Sequence, residues 1–179
     1  MSRKDPRKKL IEYFIVASAT GIVFSIILFG IVITKSINFD RFCGDYLKRA
    51  ADSNNIQLAK EELTKALIYI EKNNLTTGFT SVFYNTPDED IEFWYTNIKT
   101  TKTELDNLPV NSSSLEKSNM LLKLRETLLD NGPSGKTVVT IPSGISTFPH
   151  NTKYMFLYIL CGIHGGIISI LGILLIATD

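Results

Sequence analysis

Cysteine, histidine and tryptophan are scarce in this chain: two, two and one among 179 residues. Two cysteines, Cys43 and Cys161, give no internal disulfide framework, and the different depths expected of them argue against pairing with each other. Cys43 sits on an apolar stripe and reads as a buried thiol, with an intermolecular bridge as the alternative. His150 is the only histidine outside the long apolar runs. It follows Pro149 without a neighbouring acid, so no nucleophile with an oriented base can be read. Net charge is also lacking: 19 basic against 18 acidic residues leave +1, which gives no electrostatic footprint for nucleic acid. The densest acidic group, Asp88, Glu89, Asp90 and Glu92, lacks the spaced oxygens and central glycine of a calcium loop and reads as helix capping. Gly132-Pro133-Ser134-Gly135-Lys136-Thr137 ends like a phosphate loop. It lacks the first glycine of that pattern and follows a helix instead of a strand, which excludes it. These absences leave no catalytic constellation and no cofactor, and the reading is of a protein that is not an enzyme.

Charge is missing most conspicuously from two stretches, Tyr13 to Thr34 (22 residues) and Tyr154 to Ala177 (24 residues). Each exceeds the roughly 20 residues needed to cross a bilayer core, and in lipid such a run must be helical to satisfy its backbone. The first is too long for the apolar part of a typical signal peptide and reads as an uncleaved anchor. Five basic residues precede it (Arg3, Lys4, Arg7, Lys8, Lys9), whereas Lys35 and Lys153 are single charges at the other ends of the two runs. The positive-inside rule therefore keeps the amino terminus in the cytoplasm. The expected organisation is a cytoplasmic basic tail (1–12), transmembrane helix (13–34), exported helical domain (35–153), transmembrane helix (154–177) and cytoplasmic end (178–179), with no output domain after the second span.

Within 35–153, apolar periodicity recurs four times with start and stop signals. The first segment, Asn38 to Asp52, carries Phe39, Phe42, Cys43, Tyr46, Leu47 and Ala50 and continues from the first span. The second opens at Asn54, with Gln57 three residues on, and buries Ala59, Leu63, Ala66, Leu67 and Ile70. The third opens at Thr86-Pro87-Asp88-Glu89 and runs to Asn107 with Ile91, Trp94, Tyr95, Ile98 and Leu105 on one face. The fourth opens with the capping box Ser113-Ser114-Leu115-Glu116 and carries Leu115, Leu121, Leu122, Leu124, Leu128 and Leu129 before Asn131-Gly132-Pro133. The fold class is thus mainly α: two transmembrane helices flanking an exported antiparallel four-helix bundle. The connections 74–85 and 134–151 are expected near the membrane. Thr80–Tyr84 and Thr137–Ile141 are strand-like and are expected to form a small strand pair with each other. Alternatively Phe79, Phe83, Tyr84 and Phe148 rest at the lipid interface. Lys60, Glu61, Glu62 and Lys65 read as a solvated face.

Ala17, Gly21 and Ser25 in the first run, and Gly162 and Gly166 in the second, recur at helical spacing. They mark either close-approach helix faces or the glycine content ordinary in spans. His164, a costly polar group at mid-membrane depth, forms with Cys161 a Cys-x-x-His pair on one helix face. Without a further ligand in the first run, these two hold metal or haem only with a partner chain; otherwise the histidine bonds to a neighbouring helix. Trp94, Phe79, Phe83 and Tyr84 are the candidate interface or ligand residues. Asn74-Leu75-Thr76 and Asn111-Ser112-Ser113 match glycosylation sequons.

The strings Thr86-Pro87-Asp88-Glu89-Asp90-Ile91-Glu92-Phe93-Trp94-Tyr95 and Leu115-Glu116-Lys117-Ser118-Asn119 resemble those of small uncharacterised two-pass membrane proteins of cyanobacteria. That group implies a bacterial inner membrane and brings no known activity or site. The layout of span, helices and span also resembles the periplasmic sensing modules of bacterial chemoreceptors, from which the chain departs by ending two residues after Ala177. The expected function is that of a non-catalytic accessory, scaffold or interaction subunit. Its partners are membrane lipid and either other membrane proteins or further copies of itself. The alternatives are a ligand-binding sensor module, favoured by an apolar pocket among the four helices with Trp94 in its wall, and a redox or metal-binding protein using Cys161 and His164.

Overall fold

A charge-free run of apolar residues closes its own backbone hydrogen bonds as helix, and the longest element forms in this way. In the computed structural model, which describes residues 6–132 and 135–177 and the side chains between 9 and 172, α1 spans Pro6–Phe39. A π-helical segment, Asp40–Gly44, follows without a break, and α2 spans Asp45–Ala51. Then come α3 (Ile56–Lys72), α4 (Ile91–Asp106), α5 (Ser114–Leu128), a hairpin of β1 (Leu129–Asn131) and β2 (Thr137–Val139), and α6 (Asn151–Ala177). The protein is mainly helical, with one small antiparallel sheet. Two helical stretches, Lys9–Ala51 and Asn151–Gly172, are long and apolar enough to cross a membrane. Residues 1–5 of the basic tail and the end 178–179 lie outside the described residues, as do Pro133 and Ser134.

The chain divides into two compact units. One comprises the segments before Lys35 and after Asn151; the other is Lys35–Asn151. In the first unit α1 and α6 run antiparallel: His164 lies against Ala17 and Gly21, and Gly172 against Phe14. Hydroxyls here are spent inside their own helices. Ser18, Thr20, Ser25 and Thr34 each donate to the carbonyl four residues back, at 2.8–2.9 Å, and Ser169 donates to Gly165 in the same way. This is how a helix accommodates a hydroxyl without a partner outside itself.

The second unit builds its core on a stripe that runs through the π segment. Phe39, Cys43 and Leu47 are all buried although they are spaced by four. In an unbroken α-helix each such step rotates the side chain by about 40°, and the wider π turn absorbs that drift. Ala59, Leu63, Ala66 and Ile70 of α3, Ile91, Ile98 and Leu105 of α4, and Leu124 and Leu128 of α5 complete the core. Helix α2 contacts α3 and α5, and α4 contacts α3 and α5.

Capping follows local chemistry with small shifts. Asn55, not Asn54, caps α3, its Oδ1 accepting from the backbone N–H groups of Gln57 and Leu58. Thr86 opens only a 3-10 turn, Pro87–Glu89; Asp90, extended in backbone, caps α4 by accepting from Glu92 and Phe93. Proline at 87 suits the tight turn, and the acid after it holds the free N–H pair. The capping box of α5 is complete between Ser113 and Glu116.

Several expectations are corrected. Thr137–Val139 pairs with Leu129–Asn131, not with the Thr80–Tyr84 segment, because the hairpin needs only a short loop; Leu129 opposes Val139 and Asn131 opposes Thr137. The 74–85 connection forms instead a single bridge, Phe79 to Asp90, and Phe148 is half-buried over Gly78 rather than free for lipid. The leucines expected on α5 divide between two faces, Leu124 and Leu128 buried and Leu115 and Leu122 exposed, and Leu129 leaves the helix for β1. Glu62 is not on a solvated face; it is 2% exposed. It follows Ala59 by three and precedes Ala66 by four, which puts it on the core stripe.

Two outcomes test this packing. Gly78 has φ +106°, and an added Cβ would meet Phe148 Cζ at 2.9 Å. Gly78→Ala is expected to destabilise the second unit by about 1–3 kcal/mol, read by chemical denaturation of the full chain in detergent. Glu116 is held below its ordinary carboxyl value of 4.5, first by the Ser113 backbone N–H and then by the Ser113 hydroxyl. A depressed acid stabilises the fold above its unfolded value and loses that contribution as pH falls through the folded one. Hydrogen exchange should therefore show the first turn of α5 opening on acidification, and Glu116→Gln should weaken that response.

Candidate functional site

In the first unit, the helical periods of α1 and α6 bring Ala17, Gly21, Cys161 and His164 to one groove of about 600 Å³, also lined by Phe24 and Leu160. His164 Nε2 lies 3.1 Å from the Ala17 carbonyl. A carbonyl can only accept, so Nε2 carries the hydrogen. The ring fits because residue 21 is glycine: a Cβ there would collide with His164 Cδ2 and Nε2. Ser25, expected beside them, turns its hydroxyl to Gly21 O. Gly162 and Gly166 have nothing within 4 Å of an added Cβ, so among the small residues named the close approach falls at Ala17 and Gly21. Among the described residues no three His, Cys, Asp or Glu side chains gather as a metal would need. Cys161 and His164 share the groove with hydrocarbon side chains, the Thr20 hydroxyl and the Ala17 carbonyl. Gly21→Leu is expected to expel the imidazole, seen by NMR of the ring-labelled histidine as loss of the Nε2–H tautomer signal.

In the second unit Trp94 is 7% exposed, and its indole N–H donates to Thr140 O at 2.7 Å. The cavity with Trp94 in its wall, about 390 Å³, lies between α4 and the Val138–Pro142 segment and carries Asp88, Asp90 and Asp130. It is therefore not an apolar chamber among the four helices. Phe83 and Tyr84 are 76% and 82% exposed, and Phe79 is partly covered.

The functional-looking cluster that the sequence concealed surrounds Glu62. Lys65 Nζ donates to Glu62 Oε1 at 2.7 Å. Arg49 Nε stands 3.0 Å from Oε2, an ion-pair distance without the alignment of a hydrogen bond. Both cations also lie over the Tyr46 ring. The signal was the spacing to Ala59 and Ala66, outweighed by the charged neighbours Lys60 and Glu61. Glu62→Ala is expected to cost about 1–3 kcal/mol by thermal or chemical denaturation. That is less than a fully buried pair, because half-exposed Arg49 and Lys65 can be rehydrated.

Cys43 is wholly buried, and burial, then the nearby Asp40 charge, pushes its thiol from 9.0 to about 12. Such a thiol is a poor nucleophile. The raised value adds stability below pH 9.0 that is lost as pH climbs toward 12. At pH 8 a maleimide should leave Cys43 unlabelled in the native chain and modify it in denaturant.

No protein-family model, no curated protein and no solved structure matches the chain.

Proposed function

We propose that the chain is a non-catalytic two-pass integral membrane protein, an accessory, scaffold or interaction subunit. Residues 13–34 and 154–177 cross the bilayer, and 35–153 form an exported antiparallel four-helix bundle. The observation that carries this reading is where the apolar surface lies: the apolar windows of the two long helices are 6% and 0% buried, while the second unit closes a complete core without them. A soluble protein would leave that much hydrocarbon in water at a cost of roughly 25 cal/mol per Å². Lipid removes the cost. The positive-inside bias favours both termini in the cytoplasm, and the resemblance to cyanobacterial two-pass proteins favours a bacterial inner membrane.

Binding partners are other membrane subunits or further copies of the chain. The open glycines Gly162, Gly165 and Gly166 support this, since they allow another helix to approach closely. The groove at Cys161 and His164 supports helix pairing better than cofactor chemistry, because His164 is already bonded to Ala17 O.

Protease added to sealed right-side-out vesicles should cut within 35–153 and spare the amino terminus; a protected middle overturns the topology. Purification in mild detergent should retain a stoichiometric second chain or a second copy. A strictly monomeric particle overturns the interaction reading.

A further inference from the structure

The connection Asn74–Asn85 contains no charged residue, yet it holds Phe83 and Tyr84 almost fully exposed. Two tethers inside the second unit hold it to residues that are close in sequence to the apolar runs. At its start, Leu75 N–H donates to Ile70 O, closing α3 beside Tyr69, whose ring packs on Phe39 and Phe42 at 5.9 and 6.3 Å. Phe39 is five residues beyond Thr34, about 7 Å of helix past the charge-free run. In its middle, Thr80 O accepts from Asn151 Nδ2 at 2.6 Å. Asn151 is the first residue of α6, about 4 Å of helix before Tyr154. Asn151 also donates to Gly144 O and accepts from Thr147 Oγ1, so the tether is braced. Four residues of chain reach at most about 14 Å, which keeps Tyr84 within that distance of Thr80, itself held by the first residue of α6.

We propose that Phe83 and Tyr84 form an interfacial anchor that enters the headgroup zone of the outer leaflet. The inference rests on α6 being a membrane span. That zone is several ångströms deep on each side of the hydrocarbon, and aromatic rings with a polar tip or edge settle there. Without lysine or arginine in the segment, and with Asp88, Glu89 and Glu92 following it, attraction to anionic lipid contributes nothing. The occupant is the interface of a zwitterionic bilayer, held by aromatic burial. The loop then acts as a third point of membrane attachment between the two spans.

The test uses the full chain in phosphatidylcholine vesicles, with Cys161→Ser removing the second thiol and buried Cys43 left in place. Nitroxide labels are placed singly through Tyr84→Cys, Val110→Cys and Ile163→Cys, with circular dichroism verifying the helical fold of each. The expected result is an oxygen-to-nickel-complex accessibility ratio several-fold higher at 84 than at 110, and highest at 163. Label 163 deep in lipid with 84 as aqueous as 110 overturns the anchor and leaves the span. An aqueous 163 overturns both. Low access of oxygen and nickel alike at 84, with a strongly immobilised spectrum, would mean a protein contact and also overturns the anchor.

Discussion

The backbone hydrogen-bond ladder leaving the first apolar run never stops at the point where composition changes. It passes through Asp40–Gly44 with one wider turn, and that turn keeps Phe39, Cys43 and Leu47 facing the same core as Ala50. The remainder of the second unit is arranged around this stripe: α3 and α5 close on α2, and α4 closes on both of them. A regular α-helix over the same residues would rotate Leu47 and Ala51 away from Phe39, and the core could not include both ends of the stripe.

Polar groups in this core are few and each has a local explanation. Glu62 is neutralised by two cations that remain partly in water; Trp94 donates to a carbonyl of the segment that covers it; Thr101 returns its hydroxyl to Asn97 O. Thr80 Oγ1 is buried without a partner, beside a carbonyl gripped by Asn151. Cohesion therefore comes chiefly from aliphatic packing, and the polar contacts set register between segments distant in sequence.

The elements governed by nearest neighbours were legible in the sequence. The capping box at Ser113, the apolar faces of α3 and α4, and the continuity of the first apolar run with the next helix all follow from spacings of three and four. What escaped was set by distant residues. Strand β1 arises from Leu129–Asn131, read as the end of a helix, because Val138 and its neighbours lie across a short turn. The shift from Thr86 to Asp90 as cap of α4 depends on Gly78 and Phe79 bonding to that helix start. That His164 bonds to a neighbouring helix was legible; that its partner is Ala17 O needed knowledge of how two helices rotate about their axes, which a small-residue spacing narrows without fixing.

Along α1 the hydroxyls of Ser18, Thr20, Ser25 and Thr34 are each engaged by their own helix. Such a surface presents a neighbour with bumps and hollows and almost nothing to bond. Any helix packed there would be selected by shape, its ridges meshing with those hollows, so a single added methyl group would discriminate where a change of polarity elsewhere would not.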